Sequence, residues 1–317
     1  MRDYPGNRKG RFVISLDTEL GWGWMPFVKK RKAYLKLYAN GRQIVLRLLE
    51  LFDKYDIPVS WAIVGRLLEN NDTSNDEIAA EIREFFPNLI SQEGIRSFPK
   101  EYLTCTDIVD LILSKSANHE ISSHTYNHIY SYYNDSKKKE LFERDTRLMN
   151  SLMKRKYGLE LESIVFPKNQ VECKDVLQNY SNITTYRSPD EYWYSRMPLK
   201  FVLSKIDDLL PISPVLNELR VDEYGLNHTS GSLLFRRRST GWTSVLPISI
   251  LRVKAVKGLR KSVETGSIFH LWFHPFNFSF KQEQHFSALE AVLQEAVKWR
   301  SLNKLEIVVM KDLVSDG

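Results

Sequence analysis

Cysteine is scarce: the chain of 317 residues has 2, Cys105 and Cys173, with no C-x-x-C spacing. One pair makes no disulfide framework, so a disulfide-stapled scaffold is excluded. Long apolar runs are missing too. None reaches about 18 residues, so no helix is expected to span a membrane. The opening M-R-D-Y-P-G-N-R-K-G lacks the apolar run of a secretory signal. A cytoplasmic, reducing location is therefore the default expectation. Internal repeats and low-complexity tracts are also absent.

What is present is ordinary globular composition, 43% hydrophobic and 26% charged. That is enough for a large core in one α/β domain or two smaller ones. The formal net charge is +6 and the pI about 9.1. The basic runs are short: Lys29-Lys30-Arg31-Lys32, Lys137-Lys138-Lys139 and Arg236-Arg237-Arg238. Such runs are solvated faces or meet an anionic partner, such as a diphosphate or an acidic membrane surface. A nucleic acid polymer is not expected.

The chain is organised around Phe12 to Trp24, F-V-I-S-L-D-T-E-L-G-W-G-W. Phe12, Val13, Ile14 and Leu16 are β-formers. The run ends in Asp17 and Glu19, which point the same way if the strand persists. Two acids at the end of a buried strand are costly without compensation, usually a metal or a proton to be moved. The alternative is a strand end running into an acidic loop.

Further strands are expected at Val59–Val64, Glu120–Ser123, Ser163–Phe166, Ile183–Arg187, Ile268–Phe273 and Leu305–Met310. Helices are expected between them, one over 137–156 with Leu141, Leu148 and Leu152 inside. Residues 77–103 and 190–245 resist parsing and read as insertions. Strands alternating with helices predict a parallel sheet, and seven or eight strands suit a closed or nearly closed barrel. Chemistry then sits at the strands' C-terminal ends. Asp17, Glu19, His124, His128, Lys168, Arg187 and His274 all lie at or just past such an end.

Three stretches bear on that site. In E-I-S-S-H-T-Y-N-H, His124 and His128 are four apart and would share a face on one helical turn, where they can bind one metal; two satisfied surface histidines are the alternative. In V-F-P-K-N-Q-V, Lys168 and Asn169 follow a strand and can donate hydrogen bonds into a site, or are solvated turn residues. In F-H-L-W-F-H-P-F-N-F, alternation puts His270, Trp272 and His274 on one face. His274 is expected to project into the site and His270 to be a buried wall residue. Trp22, Trp24 and Trp272 are either sugar-stacking rings or core aromatics.

With acid-x-acid after strand one, H-x-x-x-H after a later strand, the F-P-K-N-Q loop and a late L-x-F-H strand, the chain resembles the polysaccharide deacetylases. This is the NodB-homology superfamily, carbohydrate esterase family four in the broad sense, and the resemblance is to a divergent D-x-E-x-x-W-G / F-P-K-N-Q branch. It covers about residues 10–187 and 266–313. It implies a single catalytic domain over 1–317, a deformed (β/α) barrel of about seven parallel strands, and a divalent metal, usually Zn2+. It implies removal of an N-acyl group, normally acetyl, from an amino sugar. Asp17 matches the base, Glu19 the metal carboxylate, His124 and His128 the metal histidines, and His274 the acid. Lys168, a catalytic residue expected to orient Asp17, falls where the family usually has arginine, giving up a bidentate fork. Asn169, Arg187 and the three tryptophans are assigned to substrate.

The expected function is a carbohydrate N-deacetylase of surface-polysaccharide assembly. Its substrate would be an N-acylated sugar linked to a nucleotide or lipid diphosphate, with peripheral contact at the inner membrane surface. A deformylase, an allantoinase-like hydrolase and a degenerate carbohydrate-binding protein are the rival readings.

Overall fold

The structure is a computed structural model and describes residues 8–23, 37–69, 99–131, 136–179, 182–237 and 241–313. Trp24, the Lys29–Lys32 run, Arg238 and residues 77–98 of the first expected insertion lie outside the described residues. Strand β1 (Gly10–Thr18) is the centre of the sheet. Its Phe12, Val13, Ile14 and Leu16 have no exposed surface. β-Branched and aromatic residues buried on both faces are what a central parallel strand requires. Helix α1 (Gly41–Lys54) follows. It turns Ile44, Val45, Leu48, Leu49 and Phe52 inward, none more than 2% exposed. Truncating Phe52 to alanine would cost about 3–5 kcal/mol, because it would leave a cavity at the centre of that face.

The remaining elements alternate: β2 (Ser60–Ile63), α2 (Ile108–Leu113), β3 (Glu120–Ser123), α3 (Ser136–Tyr157), β4 (Ser163–Val165), α4 (Lys174–Leu177) and β5 (Thr185–Ser188). After these come α5 (Lys200–Leu209), β6 (Arg220–Val221), β7 (Asn227–Ser230), β8 (Leu233–Leu234), α6 (Ser249–Thr265), β9 (Ile268–Phe273), α7 (Gln282–Ser301) and β10 (Leu305–Val308). The sheet runs β6-β7-β5-β4-β3-β2-β1-β9-β8, with β10 also paired to β1. Every pairing is parallel except the β6–β7 hairpin. The sheet curls: β7 pairs with β5, and two residues later β8 pairs with β9. One bent stretch thus bridges the two sides, as expected of a deformed (β/α) barrel. No helix among the described residues is long and apolar enough to cross a membrane.

Two sequence expectations need correction. The 190–245 stretch is not simply an insertion, since β7 and β8 belong to the curled sheet. Their residues, N-H-T-S and L-L, are too polar or too few to read as strands. Helix α3 is rolled relative to its expected face. Leu152 is buried as expected, but Phe142, Asp145, Met149 and Met153 share the inward face and Leu148 is 38% exposed. An inward aspartate reverses the usual rule, and its hydrogen bonds explain it below.

Candidate active site

The C-terminal ends of β1, β2, β3, β4, β5 and β9 meet at one place. Glu19 follows β1, His124 follows β3, and the loop continues to His128. Their ligand atoms lie within 4.8 Å of one another, and all three residues are buried. Glu19 Oε2 is 2.8 Å from His128 Nε2 and 3.6 Å from His124 Nε2. The histidines do not share a helical turn, contrary to their spacing. Thr125 and His128 are left-handed, at φ 63° and 57°. That folds the loop back so that the two rings approach to 5.0 Å between centroids.

Buried Asp145 holds this loop. Its carboxylate accepts the backbone N–H of Tyr126 at 2.6 Å, the backbone N–H of Asn127 at 2.9 Å, and the Asn127 side-chain amide at 2.8 Å. Arg66 Nε donates to Asn127 Oδ1 at 2.8 Å. Burial pushes the Asp145 pKa up to about 6, against the hydrogen bonds from Tyr126 and Asn127. His124 Nδ1 lies 2.8 Å from the Val165 carbonyl. A carbonyl only accepts, so Nδ1 donates to it, and Nε2 is the nitrogen turned toward Glu19. A ring fixed this way by its second nitrogen is the usual preparation of a metal-ligating histidine. Burial works to raise the Glu19 pKa, but His274, His128 and His124 outweigh it and hold the carboxylate below its ordinary value. Burial lowers the His128 pKa, opposed by Glu19. One carboxylate and two imidazoles at this separation are the donor set a zinc-type ion requires, the imidazoles giving up their Nε2 protons to it.

Asp17 has a different partner. Arg187 of β5 donates to Oδ1 at 2.7 Å and to Oδ2 at 2.8 Å, and Arg187 is fully buried. The same guanidinium reaches Ser15 Oγ at 3.0 Å and Asn169 Oδ1 at 2.9 Å. Burial alone would raise the Asp17 pKa; Arg187, then His274 and His124, override it and hold the acid below its usual value. Ser15 is also 2.8 Å from His270 Nε2. His270 is thus the buried, hydrogen-bonded wall residue expected from its strand position.

His274 stands at the rim, its side chain 21% exposed. Its Nε2 is 3.8 Å from Asp17 Oδ2 and 3.6 Å from Glu19 Oε1. Its backbone N–H is anchored by Asn277 Oδ1 at 2.9 Å. Trp272 lies with the Arg187 guanidinium carbon 4.1 Å from its ring centroid and donates its N–H to Asp190 at 3.1 Å. Asp190 also accepts from the Tyr192 hydroxyl at 2.8 Å.

The structure thus gathers Asp17, Glu19, His124, His128, Asn169, Arg187, Trp272 and His274. It gives some of them different neighbours from those expected. Arg187 grips Asp17, the contact anticipated for Lys168. Lys168 is exposed, its ammonium 3.8 Å from the centroid of the Tyr130 ring. Trp22 is 3% exposed and bonds the Leu103 carbonyl at 2.8 Å, so it is a core aromatic. Trp272 is 7% exposed and offers little open ring face. Asp145 and Asp190 were missed. The S-P-D just past Arg187 was the available signal for Asp190; a helix interior concealed Asp145.

No protein-family model matches the chain, and no curated protein does. Solved structures do. A probable polysaccharide deacetylase from Pseudomonas aeruginosa PAO1 superposes with a TM-score of 0.60 at 14% identity, covering 98% of this chain and 91% of that one. The fold is that of the polysaccharide deacetylases. Puue allantoinase matches at 0.59 and 13% identity, over 98% of this chain and 90% of that one. The alpha-amylase AmyC from Thermotoga maritima matches at 0.52 and 10%, over 98% and 75%. This deacetylase fold therefore carries several chemistries, and the site has to decide among them.

Proposed function

We propose that the chain is a metal-dependent hydrolase removing an N-acyl group, acetyl in the first instance, from an amino sugar. One observation carries the reading. A buried Glu19–His124–His128 set lies beside an arginine-clamped Asp17 and a rim histidine, all at the strands' C-terminal ends. Glu19, His124 and His128 would hold a divalent ion, with zinc the first candidate for one carboxylate and two imidazoles. When bound, such an ion supplies Lewis acidity and a water of lowered pKa.

The chain's own residues account for the proton movements. Asp17, ionised and fixed in rotation by Arg187, accepts a proton from the attacking water at Oδ2. His274 reaches both acids from the solvent side and gives its Nε2 proton to the departing amine. The amide C–N bond breaks, water supplies the new carboxylate oxygen, and the sugar leaves with a free amino group. Asn169 and Ser15 keep Arg187 from rotating away. Lys168, exposed next to Tyr130, is placed in this reading at the substrate's edge rather than against Asp17. The favoured substrate is a cytoplasmic sugar precursor of surface polysaccharide, linked through a diphosphate, which suits the net charge of +6.

A second reading, hydrolysis of a ring or ureide amide, is favoured by the comparable match to the allantoinase. The test is turnover by zinc-loaded and chelator-treated protein on N-acetylated sugar oligomers, on a nucleotide N-acetyl sugar and on allantoin. Zinc-dependent release of acetate supports the first reading. Turnover of allantoin alone moves the assignment to the second. No turnover of any of these by metal-loaded protein sinks the sugar deacylase reading.

A further inference from the structure

Helix α5 is folded inside out. Leu199, Val202, Ile206, Leu209 and Leu210 recur at spacings of three, four, three and one, the spacing of one helix stripe, with Leu199 and Leu210 flanking the helix at its two ends. On a water-facing helix that stripe turns inward. Here it is exposed: Leu199 by 75%, Val202 by 53%, Ile206 by 37%, Leu209 by 48% and Leu210 by 49%, with Phe201 beside it at 78%. Isolated exposed leucines are ordinary, but a contiguous stripe of this kind marks an interaction site.

The acids of the helix point the other way. Buried Asp207 takes the Lys254 ammonium of α6 at 2.6 Å and the Trp193 N–H at 2.8 Å. Asp208 takes Arg236 at 2.9 Å. With both carboxylates engaged inside, the charges this segment shows to solvent are cations. Lys200, Lys205 and Arg196 are exposed and form no ion pair among the described residues. The inward ion pairs also fix the helix, so the outward face is held in place.

We infer that α5 is a docking surface for an anionic lipid bilayer. Charge complementarity selects that occupant. Phenylalanine and leucines flanked by lysine and arginine, with the acids withdrawn, are the pattern of a helix lying in the headgroup layer, where the apolar stripe meets acyl chains and the cations meet phosphates. A protein partner of ordinary character would not require withdrawal of the acids. The surface is also joined to the site. Tyr192 bonds Asp190 at the site wall, and the next residue, Trp193, bonds Asp207 of the helix. The buried side of α5 is thus tied to the wall of the site. The inference stands apart from the hydrolytic reading, because its test needs no turnover.

The test is co-sedimentation of the full chain with vesicles of phosphatidylglycerol and phosphatidylcholine, and with vesicles of phosphatidylcholine alone. Wild type is expected to pellet with the anionic vesicles and to be released as salt is raised. Lys200→Glu with Lys205→Glu should weaken that binding about tenfold or more. Val202→Ser with Ile206→Ser should do the same while leaving the melting temperature of these surface-altered proteins near wild type. Wild type that stays in the supernatant with anionic vesicles overturns the inference. So does vesicle binding that neither variant weakens, or a solution dimer broken by the serine variant in a chain that ignores lipid.

Discussion

Both carboxylate oxygens of Asp17 are gripped by Arg187, at 2.7 and 2.8 Å, across 170 positions of sequence. A buried acid and a buried base so arranged are each other's closest charge compensation, and removing the arginine leaves the acid with only the more distant histidines. Arg187→Ala is expected to cost about 3–5 kcal/mol of stability. Lys168→Ala, at an exposed position, should stay within about 0.5 kcal/mol. Denaturant unfolding of the two variants checks this. Equal losses would mean that Lys168 carries more of the site than its position beside Tyr130 indicates.

Asp17 and Glu19 are expected to divide their work. Glu19 touches both histidines, and Asp17 touches the guanidinium. Asp17→Asn should keep near-normal zinc affinity and lose most turnover. Glu19→Gln should weaken zinc binding, with activity partly restored by excess metal. His124→Ala with His128→Ala should abolish the expected one metal per chain. Metal content and turnover on the three proteins decide it. Retention of a full equivalent by the histidine variant removes these ligands, and inverted behaviour of the two acid variants reverses their roles.

His274 is placed to move a proton without holding the fold together. It sits at the rim, 3.6 Å from Glu19 Oε1. His274→Ala should fold and bind metal as wild type does, yet lose a hundred- to ten-thousand-fold in turnover, the usual range for general acid catalysis. Activity within a few-fold of wild type would leave His274 as a wall of the pocket.

His270 gives a stability signature. Burial lowers its pKa from 6.5 to about 3, with Arg187 adding to the effect and Asp17 opposing it. Its folded value is below its unfolded one, so the unfolded chain binds the extra proton. The contribution is intact above pH 6.5 and is lost as pH falls from 6.5 toward about 3. At about 1.4 kcal/mol per unit, the shift is worth a few kcal/mol. His270→Gln should flatten the fall in stability across that window. Parallel curves for the two proteins would place the acid sensitivity elsewhere.

The parts of the molecule that could be read from sequence are those with periodic apolar residues. β1, β2 and β9 lie within a residue or two of where their patterns put them, because burial on a strand face writes itself locally. The site was legible wherever a polar residue followed such a strand. What could not be read was set by distant partners or by backbone angles. Nothing local distinguishes Arg187 on Asp17 from Arg187 on substrate. His124 and His128 look like a helical pair by spacing, and the left-handed Thr125 and His128 undo it. Asp145 is inward because the His loop needs an acceptor, and β7 is polar because the curled sheet needs only its backbone.

Gly23 gives the least obvious prediction. A Cβ at this position would fall on the carboxyl group of Glu19. That group is the far end of a flexible side chain, so it can move aside while the fold persists. The move takes Glu19 away from His124 and His128, whose nitrogens lie 3.6 and 2.8 Å from it. Gly23→Ala, which replaces no ligand, is therefore expected to unfold within about 1 kcal/mol of wild type. Its zinc affinity should fall about ten- to a hundredfold, the range seen when the support around a ligand is altered. Competition against a chromophoric chelator measures the affinity, and thermal unfolding with chelator present measures the fold. Unchanged zinc affinity would show that Glu19 has another way into the site, and that the close approach of Gly23 is packing alone.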